Sequence, residues 1–318
     1  RIALIFANYP NRDGRMANGV GLDAPAAMAN ALTAMAAAGY AISDAPRDGA
    51  GLMAALKAGP TNAIEGGLDG GAALPLAAYR EGFAALPPAA QAAVAAEWGA
   101  PEDDPFCADG AFRLAIHRWG NIVIGLQPSR GYDRDPKDRY HDPALAPPHR
   151  YIAFHIWLRA SFDAHALVQM GKHGNLEWLP GKALALSAEC WPEMLRGPVP
   201  VLYPFIVNDP GEGAQAKRRL GAAVVDHLTP PLARAGSYGP LAELEALADE
   251  YAEAAALDPR RLPKLRGDLR DLAARTGLDA DCGFTPGEPD ESALAKIDAR
   301  LCEIKETQIR DGLHVFGV

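Results

Sequence analysis

The densest set of reactive side chains in the sequence is the stretch Gln169 to Lys182, QMGKHGNLEWLPGK, where Lys172, His173, Asn175 and Glu177 stand among three glycines and a proline. It leaves a run of strand formers, Ala166 to Met170, and loops at the carboxyl ends of strands are where α/β proteins hold their ligands. His173 and Glu177 are four residues apart, so one helical turn after Gly174 would bring imidazole and carboxylate to a common face. An imidazole nitrogen is a borderline-soft ligand suited to divalent cobalt or zinc, and a carboxylate serves either as a hard oxygen ligand or as a general base. The glycines let the backbone approach a bound molecule closely. A capped loop with a surface ion pair is the plainer use of the same residues.

Two further clusters could bind ions. Tyr140-His141-Asp142 lies in a proline-rich connection, where His141 could supply a metal ligand and Asp142 could equally start a turn before Pro143. Asn208-Asp209-Pro210-Gly211-Glu212-Gly213 follows a strand-like run, Val199 to Val207, and precedes a helix expected from about Gly213 that carries Lys217, Arg218 and Arg219. Backbone amides at a helix N-terminus with cations nearby suit a phosphate or carboxylate, which makes Asn208, Glu212, Lys217 and Arg218 candidate binding residues. The segment lacks the G-x4-G-K-[ST] spacing of a nucleotide loop and is not read as one. Arg130, after the run GNIVIGLQPS, could pair with a ligand carboxylate or stand exposed. The glycines of Arg12 to Asp23 lack the order of a dinucleotide loop but could form a lid. His117, His155, His165 and His227 stand in apolar surroundings and read as core or boundary residues; His314 is ambiguous.

These candidates must be positioned by alternating strands and helices. Arg1 to Ala7 reads as a strand, Ala24 to Gly39 as a helix, Leu74 to Trp98 as helix broken at Pro87-Pro88, and Phe112 to Gln127 as a hairpin turning at Trp119-Gly120-Asn121. A helix from Pro148 to Phe162 separates that hairpin from the next strand. From Ser237 onward the pattern is helical, with breaks near Pro259, Pro263 and Asp279 to Pro289. The expected fold is α/β, with mixed strands and helices: a body over residues 1–230, a helical insertion at about 60–105 and a mainly helical section over 231–318.

With 49% hydrophobic residues in 318, the chain can bury a core. Its 31 Lys and Arg against 40 Asp and Glu argue against nucleic acid as a partner. Four scattered cysteines without a C-x-x-C pair predict free thiols and a cytoplasmic setting. No apolar run is long enough to predict a membrane span. The start on a strand without Met reads as a cut-out from a longer polypeptide.

The phrases ANYPNRDGRMANGVGLD, GNIVIGLQPSRGYDRDP, YHDPALAPPHRYIAFHIWLR, GKHGNLEWLPGKALALSAE, LYPFIVNDPGEGAQAKRR, DHLTPPL and QIRDGLHVFG, in this order, resemble the large subunit of ATP-dependent cobaltochelatases (CobN type), related to the large subunit of magnesium chelatase. The resemblance runs over essentially the whole chain, as an internal fragment. It implies a tetrapyrrole-binding, metal-inserting ligase subunit that places Co2+ in hydrogenobyrinic acid a,c-diamide, with ATP and Mg2+ handled by partner subunits of AAA+ character. The fragment alone is expected to be inactive. On this resemblance Glu177 is the catalytic carboxylate, His173 delivers the metal, and His173, Glu177 and His141 are its candidate ligands. Lys172, Asn175 and Arg130 join the residues of the second cluster as candidate ring contacts. The related pattern carries a His four residues before His173, where this chain has Gln169, an amide that cannot act as a base near neutral pH. The alternatives are a magnesium chelatase acting on protoporphyrin IX and a non-catalytic tetrapyrrole-binding protein.

Overall fold

The computed structural model describes residues 1–8, 16–63, 68–131, 144–183, 186–230, 239–277, 296–297 and 312–318. The chain divides into two compact units, Arg1–Thr229 with Leu313–Val318, and Pro230–Gly312.

In the first unit β1 (Ile2–Phe6) leads to α1 (Ala24–Ala37), α2 (Gly49–Lys57), β2 (Ala72–Pro75), α3 (Leu76–Ala84), α4 (Pro88–Trp98), β3 (Cys107–Ala108) and β4 (Ala111–Leu114). Then follow β5 (Ile116–Trp119), β6 (Ile122–Leu126), α5 (His149–Ile156), β7 (Ala166–Met170), α6 (Trp191–Arg196), β8 (Val201–Ile206), α7 (Pro210–Leu220) and β9 (Ala223–His227). The main sheet has the order β5-β6-β1-β7-β8-β9; only β5 runs antiparallel to its neighbour. From β1 the chain goes on to the edge strand β5, turns back into β6 beside β1, then crosses β1 to build β7, β8 and β9 on the other side. The order therefore reverses between β1 and β7. The crevice outside the carboxyl ends of strands at such a reversal is where open α/β sheets bind ligands.

β6 is buried along its whole length, as a strand covered on both faces must be. Its glycine has a steric reason: a Cβ on Gly125 would stand 2.8 Å from Cζ of Phe154, so α5 packs directly on the strand there. The hairpin expected over Phe112 to Gln127 is shorter than that span. β5 and β6 form it, whereas Phe112 belongs to β4, which pairs with β2 and β3 in a separate three-stranded sheet. The stretch expected to be helical from Leu74 therefore begins in a strand. α7 starts at Pro210 rather than near Gly213, because Asp209 caps it by accepting from the Glu212 amide at 3.4 Å and Pro210 suits the first turn.

In the second unit α8 (Pro240–Leu257), a 3-10 turn at Pro259–Arg261 and α9 (Leu262–Thr276) bury Leu244, Leu269, Leu272, Ala273 and Ile297. Pro263 stands in the first turn of α9, where the missing N–H costs nothing, so it opens a helix and does not break one. The expected break at Asp279 to Pro289 lies outside the described residues. Among the described residues no helix is long and apolar enough to cross a membrane.

Candidate functional site

The loop that leaves β7 lies at the β1/β7 reversal. Gly171, at φ +89, ends the strand, and a Cβ there would come 3.3 Å from the Cα of Gly19. This close approach lets Val20 N donate to the Lys172 carbonyl at 3.4 Å, which ties the segment ahead of α1 to the loop. Beyond Gly174 the chain makes a 3-10 turn, Leu176–Trp178, in place of an α-helical one.

Glu177 is buried, with 1% of its surface exposed. Its Oε1 accepts from the Tyr203 hydroxyl at 3.0 Å, and Oε2 is buried with no hydrogen-bond partner among the described residues. Tyr203, fully buried on β8, accepts in turn from the Gly174 amide. Burial lifts the Glu177 carboxyl above the ordinary carboxylate range, against the opposing pull of its own backbone amide, His173 and Tyr203. His173 is half-buried, and its Nδ1 lies 2.6 Å from the Gly174 carbonyl oxygen. A carbonyl only accepts, so Nδ1 carries the proton and the neutral ring has its lone pair on Nε2. When it carries a charge, the ring is close enough to lower the proton affinity of both Glu177 and Asp209. A buried carboxyl that binds its proton more firmly than usual, beside an imidazole with a nitrogen lone pair, can exchange protons and offer a transient ligand to a divalent ion.

Lys172 reaches across to α7, where it pairs with Asp209 and lies 3.3 Å from Glu212 Oε2. Burial opposes its charge, but these two carboxylates outweigh that cost and raise the pKa of the ammonium. The same lysine holds Asp209 below its usual range. The N-terminus of α7, expected from the sequence to receive an outside anion, is thus served by the protein's own carboxylates and a lysine.

Asn175 is buried and fully engaged. Its Oδ1 accepts from Tyr151 at 2.6 Å and its Nδ2 donates to the Pro128 carbonyl at 3.1 Å, while Gln127 Nε2 donates to Tyr151 at 3.0 Å. Gly174 lies against two buried amides: a Cβ would meet Gln169 Cδ at 2.9 Å and Gln127 Oε1 at 3.0 Å. Arg130, read from the sequence as exposed or ligand-bound, is buried. Asn208, Lys217 and Arg218 are exposed, Arg218 donating to Gln215 at 2.8 Å. His141 lies outside the described residues. Of the sequence candidates, then, Lys172, His173, Asn175, Glu177 and Glu212 share one locality, while Asn208 stands ahead of α7 and Lys217 and Arg218 on its surface. The sequence did not single out Tyr203 or Tyr151, and pointed to Asp209 only as part of the Asn208–Gly213 cluster. A tyrosine inside an apolar strand, such as Tyr203 in VLYPFI, needs a hydroxyl partner and is the signal that points to it. Among the described residues no three His, Cys, Asp or Glu side chains are gathered as a ready-made metal cage.

A family model described as CobN/Magnesium Chelatase matches residues 1–318. The chain belongs to the CobN/magnesium chelatase family. Within this family it is 57% identical over 318 residues to the aerobic cobaltochelatase subunit CobN of Sinorhizobium sp, covering all of this chain and 25% of that protein. It is 31% identical over 318 residues to the H-type magnesium-chelatase protein of Rhodobacter capsulatus, again covering all of this chain and 25% of the relative. The catalytic subunit of cobaltochelatase from Mycobacterium tuberculosis has a similar solved structure, with a TM-score of 0.68 at 43% identity, covering 100% of this chain and 28% of that one. The chain thus spans about a quarter of the length of the relatives it matches.

Proposed function

We propose that this chain is the metal-inserting part of the large, tetrapyrrole-binding subunit of a cobaltochelatase, which places Co2+ in a corrin-type ring such as hydrogenobyrinic acid a,c-diamide. The observation that carries the reading is the Glu177 carboxyl, buried at the carboxyl ends of the strands with Oε2 unpartnered among the described residues and His173 at its side. Insertion replaces inner-ring N–H bonds with metal–nitrogen bonds, so the site needs a base for the departing protons and donors that hold the ion only loosely. Glu177 is the base, and the Nε2 lone pair of His173 passes the ion. Cobalt ranks ahead of magnesium because the cobaltochelatase relative shares 57% of the sequence and the magnesium-chelatase relative 31%.

The same reading gives the exposed cations Lys217 and Arg218 the peripheral carboxylate or amide arms of the ring. Lys172 and Asn175 keep the loop in shape. The site belongs to the unit Arg1–Thr229 with Leu313–Val318, and ATP hydrolysis is left to AAA+ partner subunits. An absorbance titration of the full-length subunit with the metal-free corrin ring, followed by cobalt, ATP, Mg2+ and both partners, tests the assignment. Ring binding followed by the spectral change of cobalt insertion is expected. Ring binding without insertion under those conditions favours a carrier protein, and insertion of magnesium into protoporphyrin IX in its place favours the magnesium branch.

A further inference from the structure

We infer that Tyr203 is a positioning residue for metal insertion, holding Glu177 by Oε1 so that Oε2 is the oxygen left for the reaction. This rests on Glu177 being the base. A phenol has one hydrogen and can both donate and accept. At Tyr203 the oxygen accepts from the Gly174 amide, which leaves its hydrogen for Glu177 Oε1 at 3.0 Å. Oε1 is thereby held as an acceptor, and Oε2 is left as the oxygen with no hydrogen-bond partner among the described residues. The ring of Tyr203 cannot swing away, because it is fully buried on β8 and packs edge-on against Phe205 with centroids 5.2 Å apart. The same hydroxyl also holds the amide of Gly174, the residue whose carbonyl, on the following peptide, faces His173 Nδ1, so one group on β8 touches the backbone beside both halves of the site. Without it the Gly174 amide and Oε1, both buried, lose the Tyr203 hydroxyl, and the carboxyl keeps only the weaker hold of its own backbone amide and neighbours.

The test is a double-mutant cycle in the full-length subunit, assembled with its ATPase partners and assayed for cobalt insertion and for ring binding. Glu177→Gln alone is expected to slow insertion by about a hundredfold or more. Tyr203→Phe alone is expected to lower kcat by about tenfold with ring affinity unchanged, and to cause no further loss in the Glu177→Gln background. A role in folding alone would cost as much in either background. If Tyr203→Phe abolishes ring binding, Tyr203→3-fluorotyrosine keeps the shape and changes the donor strength. It is then expected to change kcat when Glu177 is present and to have no effect when it is not. The inference is overturned if Tyr203→Phe inserts cobalt at the wild-type rate, or if either Tyr203 variant has the same effect in both backgrounds. A wild-type rate for Glu177→Gln overturns the assignment of the base itself, a separate outcome.

Discussion

The Tyr151 hydroxyl donates to Asn175 Oδ1 across 2.6 Å and so ties α5 to the loop that follows β7. Gln127 Nε2 completes the chain from the end of β6, at 3.0 Å from the same hydroxyl. Three elements therefore meet on one phenol beneath the candidate site. Tyr151→Phe keeps the ring and leaves Gln127 and Asn175 each short of a buried partner, a penalty of about 1–3 kcal/mol. Hydrogen exchange of the full-length subunit is expected to show the amides of residues 171–179 losing about tenfold or more of their protection; unchanged protection counts against the tie.

Gly125 faces Phe154 at a distance that leaves no room for a methyl group. Phe154 is buried and has nowhere to turn, so Gly125→Ala must push α5 off β6 at a cost of about 1–3 kcal/mol. The same exchange measurement should report that loss in α5 and β6, and Gly125→Val should leave no native-like protection there. Wild-type protection in Gly125→Ala would contradict the packing described.

Lys172 offsets two neighbouring carboxylates, Asp209 and Glu212, at the N-terminus of α7. Lys172→Met leaves them facing each other partly buried. Because all three side chains keep some solvent contact, a moderate penalty of about 1–3 kcal/mol is expected in place of the full cost of a buried orphan charge. Faster exchange confined to the first turns of α7 and to the loop is the predicted result. Restoration by Asp209→Asn in the same protein checks that charge is the cause.

His155, enclosed in α5, has its pKa pushed down to about 3 by burial, with Arg159 adding to the effect. The unfolded chain takes up a proton near the ordinary histidine pKa of about 6.5, whereas the folded one resists until about 3. The unfolded state thus binds more protons between these values. The stability His155 contributes is complete above about 6.5 and falls as the pH drops toward 3, by at most about 1.4 kcal/mol per unit. Protection of α5, corrected for intrinsic exchange rates, is expected to decline from pH 7 to pH 5, and His155→Leu to flatten that decline.

Strands with strong local character were legible in the sequence. Ala166 to Met170 is β7 to the residue, and Ala24 onward is α1, where Asp23 accepts from Ala26 N at 2.9 Å as a cap. The mixed α/β class follows from such segments. β9 was not legible, because an edge strand exposed over most of its length carries no alternating apolar pattern. β2 was hidden by its alanines, which read as the start of α3, and only its pairing with β4 makes it a strand. The reactive loop was visible from its composition. Its supports were not: Tyr203 is 26 residues from Glu177 and Tyr151 is 24 from Asn175, and contacts at that separation depend on how the strands are ordered. Arg130 misled for the same reason, since an arginine in a polar segment gives no sign that the fold will enclose it.

The measurement that bears most directly on the account is the rate of ATP-dependent cobalt insertion by the full-length subunit carrying Glu177→Gln, with ring affinity followed in parallel. Glutamine keeps the size and a hydrogen-bonding oxygen but cannot take up a proton near neutral pH. The account predicts that ring binding persists while insertion falls by about a hundredfold or more. Insertion at the wild-type rate would contradict it.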